Sequence, residues 1–79
     1  MEYITDNGFE IVSHLAILRE YKNGSTLEFN KTKHDGKPEK WDLRRWHLDE
    51  TTGCRTPGRG ILLDDRDMQE LKAILDEYC

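Results

Sequence analysis

Ten consecutive residues, KPEKWDLRRW at 37–46, hold both tryptophans of the chain and four of its cations: Lys37, Lys40, Arg44 and Arg45. Together these residue types suit a polyanion. Ammonium and guanidinium groups meet phosphates, and an aromatic face accepts a stacked base for about 1–3 kcal/mol per base. Lys31 and Lys33 precede this stretch, and Arg55 and Arg59 follow it. The formal net charge is −4, yet it is unevenly spread. Residues 1–30 sum to −3, residues 31–59 to +3 and residues 60–79 to −4. Surface potential follows local charge rather than the total, so the middle third reads as a basic patch between acidic flanks.

Other chemistries find less support. His14, His34 and His47 fall on different segments without metal-ligand spacing, and no serine or cysteine sits in a recognisable nucleophile setting. No glycine-rich phosphate loop precedes a helix. Asp64, Asp65 and Asp67 suit the start of a helix better than a metal. The expectation is therefore a non-enzymatic chain with no metal and no cofactor. Cys54 and Cys79 are too few and too far apart for a disulfide framework, and read as thiols of a reducing, cytoplasmic compartment. No apolar run approaches the ~18 residues of a membrane span, and no secretory or transit pattern follows Met1.

The elements that must carry these residues follow from periodicity. In GFEIVSHLAILREY, residues 8–21, apolar side chains favour odd positions, as in a half-buried strand. Asn23-Gly24 marks a turn, after which Leu27 and Phe29 alternate with polar neighbours in a second strand. Asp35-Gly36 predicts a hairpin into KPEKWDLRRW. A two-residue loop would set Phe29 beside Asp42. A three-residue loop with Gly36 left-handed sets Phe29 opposite Trp41, Leu27 opposite Leu43 and Lys31 opposite Glu39. Only the second keeps apolar side chains on one face, and it is the register expected. It sends Trp46 to the opposite face with Lys40, Asp42 and Arg44. DETTGCRTPG reads as a loop, RGILLD as a short strand, and Asp64 as an N-cap with Asp67 completing a capping box. Met68, Leu71, Ile74, Leu75 and Tyr78 form a helical stripe.

The fold class expected is α+β: a four-stranded antiparallel sheet followed by one C-terminal helix that covers it. The chain reads as a single domain with a tail at 1–7, the sheet over 8–63 and the helix over 64–78. A chain of 79 residues with 35% apolar content buries little surface, so a homodimer is expected.

Within this frame Trp41 reads as core, in phase with Leu43. Trp46 reads either as an exposed base-stacking residue or as a cap over the sheet end or a dimer contact. Lys31 and Lys33 are solvated strand ends taken singly. With Lys40, Arg44 and Arg59 they line a groove that would track a phosphate backbone.

Trp41-Asp42-Leu43-Arg44, then Pro57-Gly58-Arg59-Gly60-Ile61-Leu62-Leu63 and the helix from Asp64, resemble the transcriptional positive cofactor 4 family of single-stranded-DNA-binding coactivators. The stretch LEFNKTKHDGKPEKWD is most similar to the YdbC-type bacterial branch. The resemblance spans about residues 8–78 and is most specific over 41–63. It implies a protomer that dimerises largely through its helix, here through Met68, Leu71, Leu75 and Tyr78. It also implies single-stranded DNA held on basic and aromatic side chains of the second and third strands, with the transcription machinery as a further partner. By position Arg44 matches the family's arginine after D-I, Trp46 its aromatic two residues later, and Arg59 the basic residue of its P-G-R loop. The sequence departs from the family in having Gly60 directly after Arg59, and Leu62 where a serine or threonine is usual. A protein-interaction module with the same fold, and a single-stranded RNA binder, remain open alternatives.

Overall fold

The structure, a computed structural model, describes Tyr3, Thr5 and residues 8–79. The expected tail at 1–7 therefore lies, apart from Tyr3 and Thr5, outside the described residues. Four strands, β1 (Glu10–Glu20), β2 (Thr26–Lys33), β3 (Lys40–Asp49) and β4 (Cys54–Leu63), precede one helix, α1 (Asp65–Tyr78). The strands pair antiparallel in chain order, β1-β2-β3-β4, and the α+β class is as expected.

Local signals account for the joints. Gly36 has φ 71°, the left-handed conformation expected of the Asp35-Gly36 turn. The turn is wider than expected, however, and Lys37 N–H donates to the His34 carbonyl at 2.9 Å. The β2–β3 register is accordingly shifted by two residues. Phe29 pairs with Leu43, Leu27 with Arg45 and Lys31 with Trp41, instead of Trp41, Leu43 and Glu39 respectively. A shift of two leaves every side chain on its face, so Leu27, Phe29, Trp41 and Leu43 still share one side. Phe29 and Trp41 still stack, with centroids 5.7 Å apart, as diagonal rather than direct neighbours.

β4 begins at Cys54 and not at Arg59, so most of the expected TPG loop is strand. Pro57 is tolerated there because β4 is an edge strand, where a missing N–H costs no ladder bond on the open side. β1 departs further from expectation. Its eleven residues face eight of β2 through three register shifts, leaving Val12, Leu15 and Leu18 as the extra residues. Each bulge turns the strand by one residue, so the period-two alternation read from the sequence becomes a period of three. Ile11, His14, Ile17 and Glu20 then share one face.

The burial of the sheet is the reverse of the expected one. The face carrying Thr26, Glu28, Asn30, Thr32, Asp42 and Trp46 is the buried, inner face. Tyr3 and Phe9 lie against it: Phe9 is buried there, and Tyr3 forms a parallel bridge to Arg55. The apolar outer face, with Leu27, Phe29, Trp41 and Leu43, is only half-buried. α1 does not cover it. Among the described residues the helix meets only β3 and β4, and it has no buried residue. Its start is tied down by Trp41, whose Nε1–H donates to Asp65 Oδ1 at 2.9 Å. The expected capping box is present, with Asp64 accepting from Asp67 N–H at 2.9 Å and Asp67 accepting from Asp64 N–H at 3.3 Å. The backbone N–H of Asp67, and secondarily the charge of Lys40, hold the Asp64 carboxyl below its usual value.

Candidate nucleic-acid interface

The six side chains expected at the interface are divided between the two faces of the sheet. Trp46 is the clearest correction. It is 0% exposed, and its ring stacks near Phe9 at 6.3 Å and meets Tyr3 edge-on at 5.0 Å. Its indole N–H has no hydrogen-bond partner among the described residues. A base cannot reach this ring in this conformation. The expectation of exposure failed because alternation reports which residues share a face, not which face is covered.

Arg44, on the same inner face, is engaged internally. Its Nε donates to Asp42 Oδ1 at 2.7 Å, Nη1 donates to the Gly58 carbonyl at 3.3 Å, and the guanidinium lies 4.8 Å from the Phe9 ring centroid. Gly60 makes this placement possible. A Cβ there would come within 2.4 Å of Arg44 Cβ and 2.9 Å of its Nε. The departure noted at Gly60 thus has a local reason in the seating of Arg44.

Lys40, half-buried, pairs with Thr32 at the end of β3. Lys31 lies on the outer face with Nζ 4.3 Å from the Trp41 ring centroid, a cation–π contact. Lys33 is exposed and bridges to Glu10 at 3.3 Å. Arg59 is exposed, and with Gly58 it stands opposite Arg45 where the β3–β4 register shifts. Lys31 and Arg59 are thus available to an anion, and Lys33 by exchanging its Glu10 partner, while Arg44 and Trp46 are drawn inward.

The inner face holds a polar network that the sequence reading missed. Glu28 is 1% exposed; Tyr3 O–H lies 3.0 and 2.9 Å from its two carboxylate oxygens. Thr26 Oγ1 donates to Oε2 at 2.6 Å and Asn30 Nδ2 to Oε1 at 3.3 Å, while Thr32 Oγ1 donates to Asp42 Oδ2 at 2.9 Å. Buried polar groups persist only when paired in this way. Burial, and after it Glu28, raise the Tyr3 phenol above its ordinary value. Beside the network lies a concavity of about 560 Å³ lined by Tyr3, His14, Leu15, Glu28, Asn30 and Arg55. Four polar residues at alternate positions, Thr26 to Thr32, read as a solvated face. The signal that they are buried lies in their types, since three of the four are neutral hydrogen-bonding side chains.

The outer face carries cations that were passed over because this face was assigned to the core. Arg45 is exposed, with its guanidinium 4.1 Å from the Tyr21 ring centroid. Across the strands Arg19 pairs with Leu27, and Leu27 pairs with Arg45. A separate apolar groove of about 520 Å³ runs between Trp41 and the helix residues Met68, Leu71 and Leu75. These are among the residues expected at a dimer interface. Met68 and Leu71 are half-buried, whereas Leu75 is 48% and Tyr78 77% exposed. No group of three or more His, Cys, Asp or Glu among the described residues is placed to hold a metal. Among the described residues no helix is long and apolar enough to cross a membrane. Comparison with known proteins found no match, whether to a family model, a curated protein or a solved structure.

Proposed function

We propose that the chain is a homodimeric, non-enzymatic module that binds single-stranded DNA with little sequence preference, acting in transcription or related DNA transactions in the cytoplasm. The observation that carries this reading is the open outer face, where Phe29 and Trp41 stack under the cation of Lys31 while Lys33 and Arg45 stand on the same side. Half-exposed aromatic rings interleaved with cations are what a flexible polyanion with π-faced bases requires. The resemblance of residues 41–63 to the positive cofactor 4 family points the same way. Phosphates fall to Lys31, Lys33 and Arg59, and base stacking passes from Trp46 to the outer-face aromatics. Arg44 acts by fixing the inner face.

The dimer rests on the helix. Among the described residues no side chain of its stripe of Met68, Leu71, Leu75 and Tyr78 is buried, and a second copy of α1 laid in the Trp41 groove would bury it. A fluorescence titration with oligo-dT tests the binding. Tight binding at low salt, with duplex DNA bound more weakly, is expected. No binding at low salt, or equal affinity for duplex and single strand, overturns the proposal. Competition between oligo-dT and oligo-U distinguishes DNA from RNA. A protein-interaction module is the second reading, favoured by the exposure of Val12, Leu15, Ile17 and Leu18 on β1 and Leu62 on β4. It predicts tryptophan fluorescence indifferent to oligonucleotides.

A further inference from the structure

One end of the outer face is cationic without being neutralised. Arg19 of β1, Leu27 of β2 and Arg45 of β3 form a row across three strands. Arg59 of β4 continues the row, since the register shift places it with Gly58 opposite Arg45. Neighbouring strands lie about 4.8 Å apart, so the row extends roughly 14 Å across the sheet. Tyr21 follows β1 at this end, half-buried, with the Arg45 guanidinium over its ring at 4.1 Å.

Three arginines in one row of an acidic chain would ordinarily be balanced by carboxylates. Among the described residues the ion pairs join Lys33 to Glu10 and Arg44 to Asp42, and none involves this row. Glu20, the acid closest in sequence, pairs with Thr26 and so lies on the inner face. Arg45, and after it Arg19, hold the Tyr21 phenol below its ordinary value. The electrostatic demand at this end is for an anion supplied from outside. Its shape is that of a line rather than a point: cations strung across the strands beside one aromatic ring. A guanidinium also offers planar, bidentate hydrogen bonding to phosphate that an ammonium lacks.

We infer that Arg19, Arg45 and Arg59, with Tyr21, form a phosphate-tracking subsite that leads the backbone of a single strand across the end of the sheet. The inference rests on the proposed binding of single-stranded nucleic acid and extends its site from the motif-matched Arg59 to Arg45, Arg19 and Tyr21, which lie outside the motif. Arg45 grips a phosphate while held against the Tyr21 ring, and Arg19 carries the strand on to β1.

The test is binding of a labelled oligo-dT strand, followed by anisotropy over a series of salt concentrations. Wild-type protein is compared with Arg19→Ala/Arg45→Ala and with Lys72→Ala on the helix as control. Loss of two phosphate contacts should flatten the slope of log affinity against log salt by about 1.4, at about 0.7 per contact for single strands. Affinity at low salt should fall about tenfold, with Lys72→Ala close to wild type. Arg45→Lys, which keeps the charge but not the planar fork, should lose part of the affinity with an unchanged slope. If far-UV circular dichroism shows the double variant misfolded, Arg19→Gln and Arg45→Gln singly give the same readout at about 0.7 each. A double variant, or single variants, matching wild type in affinity and slope would overturn the subsite and leave the proposed function standing. Wild-type protein that fails to bind would overturn both.

Discussion

At the scale of single residues, the inner face shows how a polar interior is held together. Glu28 accepts from Tyr3, Thr26 and Asn30, so its burial is matched by donors on three sides. The Tyr3 phenol is raised by burial and by Glu28, so the protonated form is the one the folded state favours. Its contribution to stability is complete below the ordinary value of 10.0 and is lost as pH rises through the raised folded value. Tyr3→Phe should therefore lower stability at neutral pH and remove part of the alkaline loss. Urea denaturation between about pH 8 and 11 reads both effects. Gly60 makes a second residue-scale case. Gly60→Ala forces a methyl against Arg44 and displaces it from Asp42, which is 0% exposed. A loss of about 1–3 kcal/mol in chemical denaturation is expected, since overpacking contributes and the buried Asp42 carboxylate is left with Thr32 alone as donor.

At the scale of elements, β1 and α1 are each incomplete alone. The three bulges of β1 twist it and leave Val12, Leu15 and Leu18 without partners in the ladder, which also blunts an otherwise open sheet edge. α1 is well begun, by its capping box and the Trp41–Asp65 hydrogen bond, yet none of its apolar stripe is fully buried among the described residues. Leu75→Glu puts a charge into that stripe without touching the cap. If the stripe is the homodimer seam, sedimentation velocity should show wild-type dimers at micromolar concentration and Leu75→Glu monomers. A wild-type protein that stays a folded monomer would contradict the helix-pairing proposal. The capping box was legible in the sequence because both its hydrogen bonds are local, spanning three residues.

At the scale of the whole molecule, the two tryptophans separate folding from binding. Trp46 is fully buried, whereas Trp41 lies half-exposed on the outer face beside Lys31. In oligo-dT titrations the Trp46→Phe variant should keep the fluorescence response, and Trp41→Phe should lose it. Acrylamide should quench the Trp41→Phe protein, which retains only Trp46, far less than the Trp46→Phe protein. A response that survives in Trp41→Phe and vanishes in Trp46→Phe would return the stacking role to Trp46, and would require Tyr3 and Phe9 to move off its ring.

The order of elements, the left-handed Gly36, the cap at Asp64 and the shared face of Leu27, Phe29, Trp41 and Leu43 were all legible in the chain. Each depends on residues close in sequence or on the two-residue period of a strand, so local chemistry suffices. Which face lies inside depends instead on Tyr3 and Phe9 crossing β2, β3 and β4, far along the chain from them. The bulges of β1 likewise arise from pairing with β2 and not from the strand's own pattern. Periodicity sorts side chains into two sets and is symmetric between them. Only the tertiary structure breaks that symmetry, by covering one set, and so decides that Trp46 is interior while Arg45 faces solvent.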